Sequence, residues 1–128
     1  MPTCCRVLVA DDNHDFANSL VELLQAMGHE ARAAYDGMEA VDICLSWHPD
    51  LAILDVQMPR MNGCAAARLM RAGAEPPHVI ASITGMSPRD EPFRSGSHVF
   101  DVELSKPPRA REIEELLGRI PCDRQGGR

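Results

Sequence analysis

Short apolar runs alternate with stretches of helical periodicity along this chain, and the runs close on polar residues. Arg6–Ala10 runs into Asp11 and Asp12, Leu51–Leu54 into Asp55, Val79–Ile83 into Thr84 and Gly85, and Val99–Ser105 into Lys106 before Pro107 and Pro108. A weaker run, Glu30–Ala34, precedes an Asp36-Gly37 turn signal. Continuous apolar runs of this length read as strands buried on both faces. Between them, Phe16, Leu20, Leu23, Leu24 and Met27 predict a helix over His14–Met27, with Gly28 as its C-cap. A second helix carries Ala40, Val41, Cys44 and Leu45 and ends before His48-Pro49, because a residue preceding proline is pushed out of the helical region. A third opens at Asn62 or Gly63 and runs to about Ala72, and a last one is lined by Ile113, Leu116, Leu117 and Ile120. Met86–His98 is the expected site of a further crossover helix, but Pro88, Pro92 and Gly96 make it a poor one.

Strands alternating with helices imply right-handed crossovers and an α/β fold, a five-stranded parallel sheet with helices on both faces. In such sheets ligands bind outside the carboxyl ends of the strands. The residues that close the runs are therefore the candidates for chemistry: Asp11, Asp12, Asp55, Thr84 and Lys106.

Size and charge bound the function classes. The 128 residues suit one domain, and 45% hydrophobic with 25% charged residues is enough to bury a core. A net charge of −6 argues against binding nucleic acid through a basic surface. No apolar run reaches the roughly 18 residues of a membrane span, and the N-terminus lacks a signal-peptide pattern, so the cytosol is the expected compartment. The five cysteines, Cys4, Cys5, Cys44, Cys64 and Cys122, contain no C-x-x-C pair and read as plain free thiols. The histidines show no metal-ligand spacing, and Asp15 and Asp36 read as helix-start and turn residues.

If the first and third strands are neighbours, three carboxylates converge, and their repulsion raises a pKa or demands a cation. Oxygen-only donors favour a hard ion, with Mg2+ the natural candidate. Thr84 adds a hydroxyl and Lys106 a point charge, both suited to phosphoryl oxygens. Taken singly, Asp11-Asp12 reads as a turn or helix cap, Asp55 as a loop start, Thr84 as a cap and Lys106 as a solvated lysine. Their meeting at one sheet edge favours the functional reading.

Val7-Leu8-Val9-Ala10-Asp11-Asp12-Asn13, Leu54-Asp55-Val56-Gln57-Met58-Pro59-Arg60-Met61-Asn62-Gly63, Ile83-Thr84-Gly85 and Leu104-Ser105-Lys106-Pro107 stand in an order that resembles the receiver domain of two-component response regulators. The likeness spans about Cys5 to Ile120, and Phe100–Pro107 is similar to receivers associated with hybrid histidine kinases. The resemblance implies a flavodoxin-like sheet of strand order 2-1-3-4-5, with residues 1–120 as the receiver domain and 121–128 as a flexible tail or linker start. It also implies Asp55 as phosphoacceptor, taking a phosphoryl group from a histidine kinase or histidine phosphotransfer protein. Mg2+ would be held by Asp12, Asp55 and the backbone carbonyl of Gln57, and by Asp11 through water. Lys106 would pair with the phosphoryl oxygens and Thr84 would move toward them, with Gly85 leaving the approach open and Met58-Pro59 and Gly63 shaping the loop. The implied role is a signalling module of a phosphorelay that assists its own phosphorylation and dephosphorylation, not an enzyme, with no direct contact to nucleic acid or membrane.

Glu103 stands where many receivers carry an aromatic residue that swings inward, which favours a readout through Met86–His98 instead. One competing reading is a Mg2+-dependent phosphohydrolase with an aspartyl-phosphate intermediate, but such enzymes need an aspartate where Gln57 stands. A phosphate-independent pseudo-receiver is the other, and it would have lost at least one of Asp12, Asp55, Thr84 and Lys106. The sequence leaves open the cognate kinase, the output, a weak homodimer, and whether the chain stands alone or is a piece of a longer one.

Overall fold

A computed structural model describes residues 4–58, 60–84 and 99–121. The elements follow the order β1 (Arg6–Ala10), α1 (His14–Ala26), β2 (Glu30–Ala34), α2 (Gly37–Trp47), β3 (Leu51–Asp55), α3 (Gly63–Arg71), β4 (Val79–Thr84), β5 (Val102–Ser105) and α4 (Ala110–Gly118). All strand pairings are parallel, in the order β2-β1-β3-β4-β5. The expected fold class and strand order are both present. The expectations for Pro59, Gly85, Met86–His98, Cys122 and the tail beyond Pro121 fall outside the described residues.

The alternation along each strand sorts the side chains into two cores. Val7, Val9, Ile53, Ala81 and Ile83 join Leu20, Leu24, Ile113, Leu116 and Leu117 under α1 and α4. Leu8, Ala10, Ala52, Leu54 and Ile80 face the other way, onto Ala40, Val41 and Cys44 of α2 and Ala66, Ala67 and Met70 of α3. Because both faces are covered, β1 and β3 carry no polar residue between their first positions and their C-terminal ends, which is why the functional groups gather there.

Local signals set the helix ends. Asn13, Asp36 and Asn62 cap α1, α2 and α3, their side-chain oxygens accepting the backbone N–H of Phe16, Glu39 and Ala65 at 3.1, 2.8 and 2.9 Å. Gly28 follows α1 at φ 95°, a conformation glycine adopts without steric cost. α2 stops at His48, which takes the left-handed conformation at φ 57° ahead of Pro49. At the opposite end of the sheet from the acidic residues, buried Asp50 exchanges hydrogen bonds with Arg6 at 2.8 and 2.9 Å, tying β3 to β1. The guanidinium groups of Arg6 and Arg32 both lie over the Trp47 ring, at 5.7 and 4.6 Å from its centroid.

Two expectations are corrected. The fifth strand begins at Val102, not Val99. Asp101 donates its backbone N–H to Ile80 O at 2.7 Å and its carboxylate accepts Ile80 N–H at 2.8 Å, while Arg71 donates to Val99 O, so this stretch is held by side chains as well as backbone. Cys4, Cys44 and Cys64 are free thiols, but Cys5 is disulfide-bonded. Which sulfurs come within bonding distance is decided by the fold, and chain spacing alone carries no such information.

Gly63 positions the loop that follows β3. Its N–H donates to Val56 O at 2.9 Å, and a Cβ there would stand 2.5 Å from Asp55 O. A methyl group must push the start of α3 away from the strand end. Gly63→Ala should therefore lower stability by about 1–3 kcal/mol, read as a fall in the urea midpoint, whereas Gly118→Ala, in open space, should not.

Candidate functional site

β1 and β3 are adjacent with Ala10 opposite Leu54, so the next residue along each, Asp11 and Asp55, comes to the same edge. One carboxylate oxygen from each of Asp11, Asp12 and Asp55 lies within 4.8 Å of the other two. Asp11 is fully buried and Asp55 nearly so, while Asp12 is exposed. Each buried carboxylate has one oxygen occupied by the backbone of its own loop. Asp11 Oδ1 accepts from Asn13 N–H at 2.9 Å, and Asp55 Oδ1 accepts from Gln57 N–H at 3.1 Å.

The Lys106 ammonium faces the remaining oxygens as an ion-pair partner. Its Nζ lies 2.7 Å from Asp11 Oδ2 and 3.8 Å from Asp55 Oδ2. The lysine arrives from β5, whose Ser105 is in register with Thr84 of β4, and its own N–H donates to Thr84 O at 3.1 Å. Thr84 thus closes β4 at the same edge. Asp11, Asp12, Asp55, Thr84 and Lys106, expected from sequence, all stand at that edge, and Gln57 reaches it through its N–H.

Electrostatics follow from this crowding. Burial, then the neighbouring Asp11 carboxylate, push the Asp55 pKa up from 3.8 to about 7, against the pull of Gln57 N–H and Lys106. Burial works against the Lys106 ammonium, but the pairing with Asp11 and the charges of Asp55 and Asp12 outweigh it and raise its pKa. Three carboxylates beside one ammonium leave an excess of negative charge and an all-oxygen donor set, which fits a hard divalent cation.

Sequence reasoning missed one neighbour of the site and one aromatic contact elsewhere on α1. Phe16, read only as a core residue of α1, lies with its ring centroid 4.7 Å from Lys106 Nζ. His14 stacks on Tyr35 with centroids 3.9 Å apart, and Tyr35 donates its hydroxyl proton to Asn18. Both contacts join distant parts of the chain, and no local spacing announces them. Glu103 is exposed on β5 and, with Glu112, Glu115 and Arg119, borders a shallow groove over Leu104 and Leu116. It does not turn inward.

A family model described as the response regulator receiver domain matches residues 7–117. The chain belongs to that family. The response regulator MprA of Mycobacterium avium is 35% identical over 117 residues, which are 90% of this chain and 49% of that protein. The receiver domain thus spans about half the length of the curated relatives it matches. Among solved structures, the response regulator TrrA from Thermotoga maritima, in complex with Mg(2+)-BeF, is 31% identical, with a TM-score of 0.77 over 90% of this chain and 97% of that one. The receiver domain of the sensor histidine kinase PA1611 from Pseudomonas aeruginosa, with a magnesium ion in its active site cleft, shares the fold. Its TM-score is 0.79 at 22% identity, over 91% of this chain and 96% of that one. No helix among the described residues is long and apolar enough to cross a membrane.

The raised pKa of Asp55 has a measurable consequence for this receiver. A carboxyl whose folded-state pKa exceeds its unfolded value favours the fold at low pH, and that contribution is lost as pH climbs from about 4 through about 7. In chelator, this contribution should therefore lower the melting temperature between about pH 4 and about pH 7. Asp55→Asn, which cannot ionise, should remove much of that fall and melt above wild type at the higher pH. A pH dependence unchanged by the substitution would show that Asp55 is not the titrating group.

Proposed function

We propose that this receiver accepts a phosphoryl group on Asp55 from a phosphohistidine of a histidine kinase or histidine phosphotransfer protein, and that the transfer needs Mg2+. The observation that carries this reading is the buried Asp55 carboxylate standing within one small cluster with Asp11, Asp12 and the Lys106 ammonium. Asp11, Asp12, Asp55 and the Gln57 carbonyl would hold the ion. Bound there, Mg2+ supplies the positive charge that offsets repulsion between a carboxylate and an incoming phosphoryl group.

The chain's own residues do the rest. Gln57 N–H holds Asp55 Oδ1 in place, leaving Oδ2 to attack phosphorus. As the new P–O bond forms, the P–N bond to the donor imidazole breaks and its electron pair leaves with the imidazole. Lys106, already between Asp11 and Asp55, meets the phosphoryl oxygens with a point charge. Thr84, at the end of β4, supplies a hydroxyl that approaches the phosphoryl group once it is attached and passes the change into the β4 backbone. The module signals in this way, with residues 1–120 acting as the receiver unit. A cytosolic location accords with such a donor.

Acetyl phosphate with Mg2+ should add one phosphoryl group to the wild type, seen by intact-mass spectrometry, and none to Asp55→Asn. Equal uptake by both proteins would assign the nucleophile elsewhere. Asp12→Ala should weaken Mg2+ binding by at least about tenfold while leaving the melting temperature in chelator unchanged or slightly raised, because removing one of three crowded carboxylates relieves repulsion. A large loss of stability would identify Asp12 as a structural residue.

A further inference from the structure

We propose that Phe16 is a positioning residue for Lys106, its ring face forming an uncharged seat for the ammonium beside the two carboxylates. The inference rests on the proposed function, in which Lys106 meets the phosphoryl group. Asn13 caps α1 through its side-chain bond to Phe16 N–H, which fixes Phe16 in the first turn of the helix. The side chain is half-buried and packs against the core cluster that contains Leu20 and Leu24. Its centroid then lies 4.7 Å from Lys106 Nζ, within the range at which an aromatic face attracts a cation. The Lys106 side chain is only 24% exposed.

Asp11 and Asp55 hold the ammonium from one side, but both carboxylates have a second task. When they turn their charge to a divalent cation, the field on Lys106 weakens. The ring face does not change, because it accepts no proton, ligates no hard cation and binds by its quadrupole. It also uses none of the three N–H donors, which stay available to oxygens. An aliphatic side chain of similar size would fill the same space without attracting the charge. Phe16 therefore keeps Lys106 at the site during the interval in which the carboxylates stop doing so.

The test uses the full chain with beryllofluoride as the phosphoryl mimic and saturating Mg2+, binding being measured by isothermal titration. Phe16→Leu and Phe16→Met should weaken beryllofluoride binding about two- to tenfold with melting temperatures near wild type, and Phe16→Tyr should restore it. In a Lys106→Ala background, which itself binds the mimic more weakly, Phe16→Leu should add nothing further. In wild type the Lys106 ε-methylene protons should be shifted upfield by the ring, a signature lost in Phe16→Leu. Wild-type affinity in both aliphatic variants, beside an impaired Lys106→Ala, would overturn the role of Phe16 and leave that of Lys106 standing. Wild-type affinity in Lys106→Ala would overturn both. A tyrosine variant as weak as leucine, or a leucine effect that persists without Lys106, would make the ring a matter of shape and overturn the inference. If the aliphatic variants do not fold, an unshifted Lys106 methylene in wild type overturns it as well.

Discussion

Two carboxylates buried side by side at the end of a sheet are a standing electrostatic problem, and the site is organised around it. Asp11 and Asp55 come together because β1 and β3 are neighbours in register, and burial withholds the water that would screen them. Lys106 supplies one positive charge, and the loop N–H groups of Asn13 and Gln57 supply two dipoles. That compensation is incomplete, as the Asp55 pKa of about 7 records. An under-compensated anionic site with oxygen donors is poised to take up a cation, and the cation's charge is what an incoming phosphoryl group requires.

The scaffold holds this tension because its two cores are independent of it. The apolar residues of β1 and β3 before the acidic edge pack into a cluster on one face or the other. Asp50, Arg6 and Trp47 lock the opposite end of the same strands through hydrogen bonds and cation–π contacts. The strands are thus anchored at both faces and at their starts, leaving only their ends to respond to charge. The loop after β3 is restrained as well. Gly63 tucks against Asp55 O, and Arg60, in the left-handed conformation at φ 68°, reaches Asp36 at 3.7 Å, the residue that caps α2. A change at Asp55 is in this way mechanically connected to the start of α2 as well as to β4 and β5.

The exposed Glu103 gives the β5 side a different character from a receiver that buries an aromatic there. A carboxylate has no reason to leave water for an apolar slot without a partner, since the loss of hydration outweighs any packing it gains. On this chain an aromatic contact with Lys106 comes from α1, through Phe16.

Much of this was legible in the sequence, and the reasons are physical. Apolar runs closed by polar residues dictated the strands and their C-terminal edge, because a strand covered on both faces has nowhere else to put a charge. Asp11, Asp12, Asp55, Thr84 and Lys106 could be assigned to that edge on this ground alone, and the caps at Asp36 and Gly28 follow from local backbone chemistry. The late start of β5 was not legible, because it depends on Asp101 reaching Ile80 of β4 and on Arg71 of α3 reaching Val99. Nor was the disulfide at Cys5, nor the seat of Lys106 on Phe16, two residues far apart in the chain. Sequence determines which groups stand at the end of each strand, since periodicity and burial act within a few residues. Only the tertiary structure decides which of them touch, because distance and dielectric between remote side chains come into being when the sheet closes and expels its water.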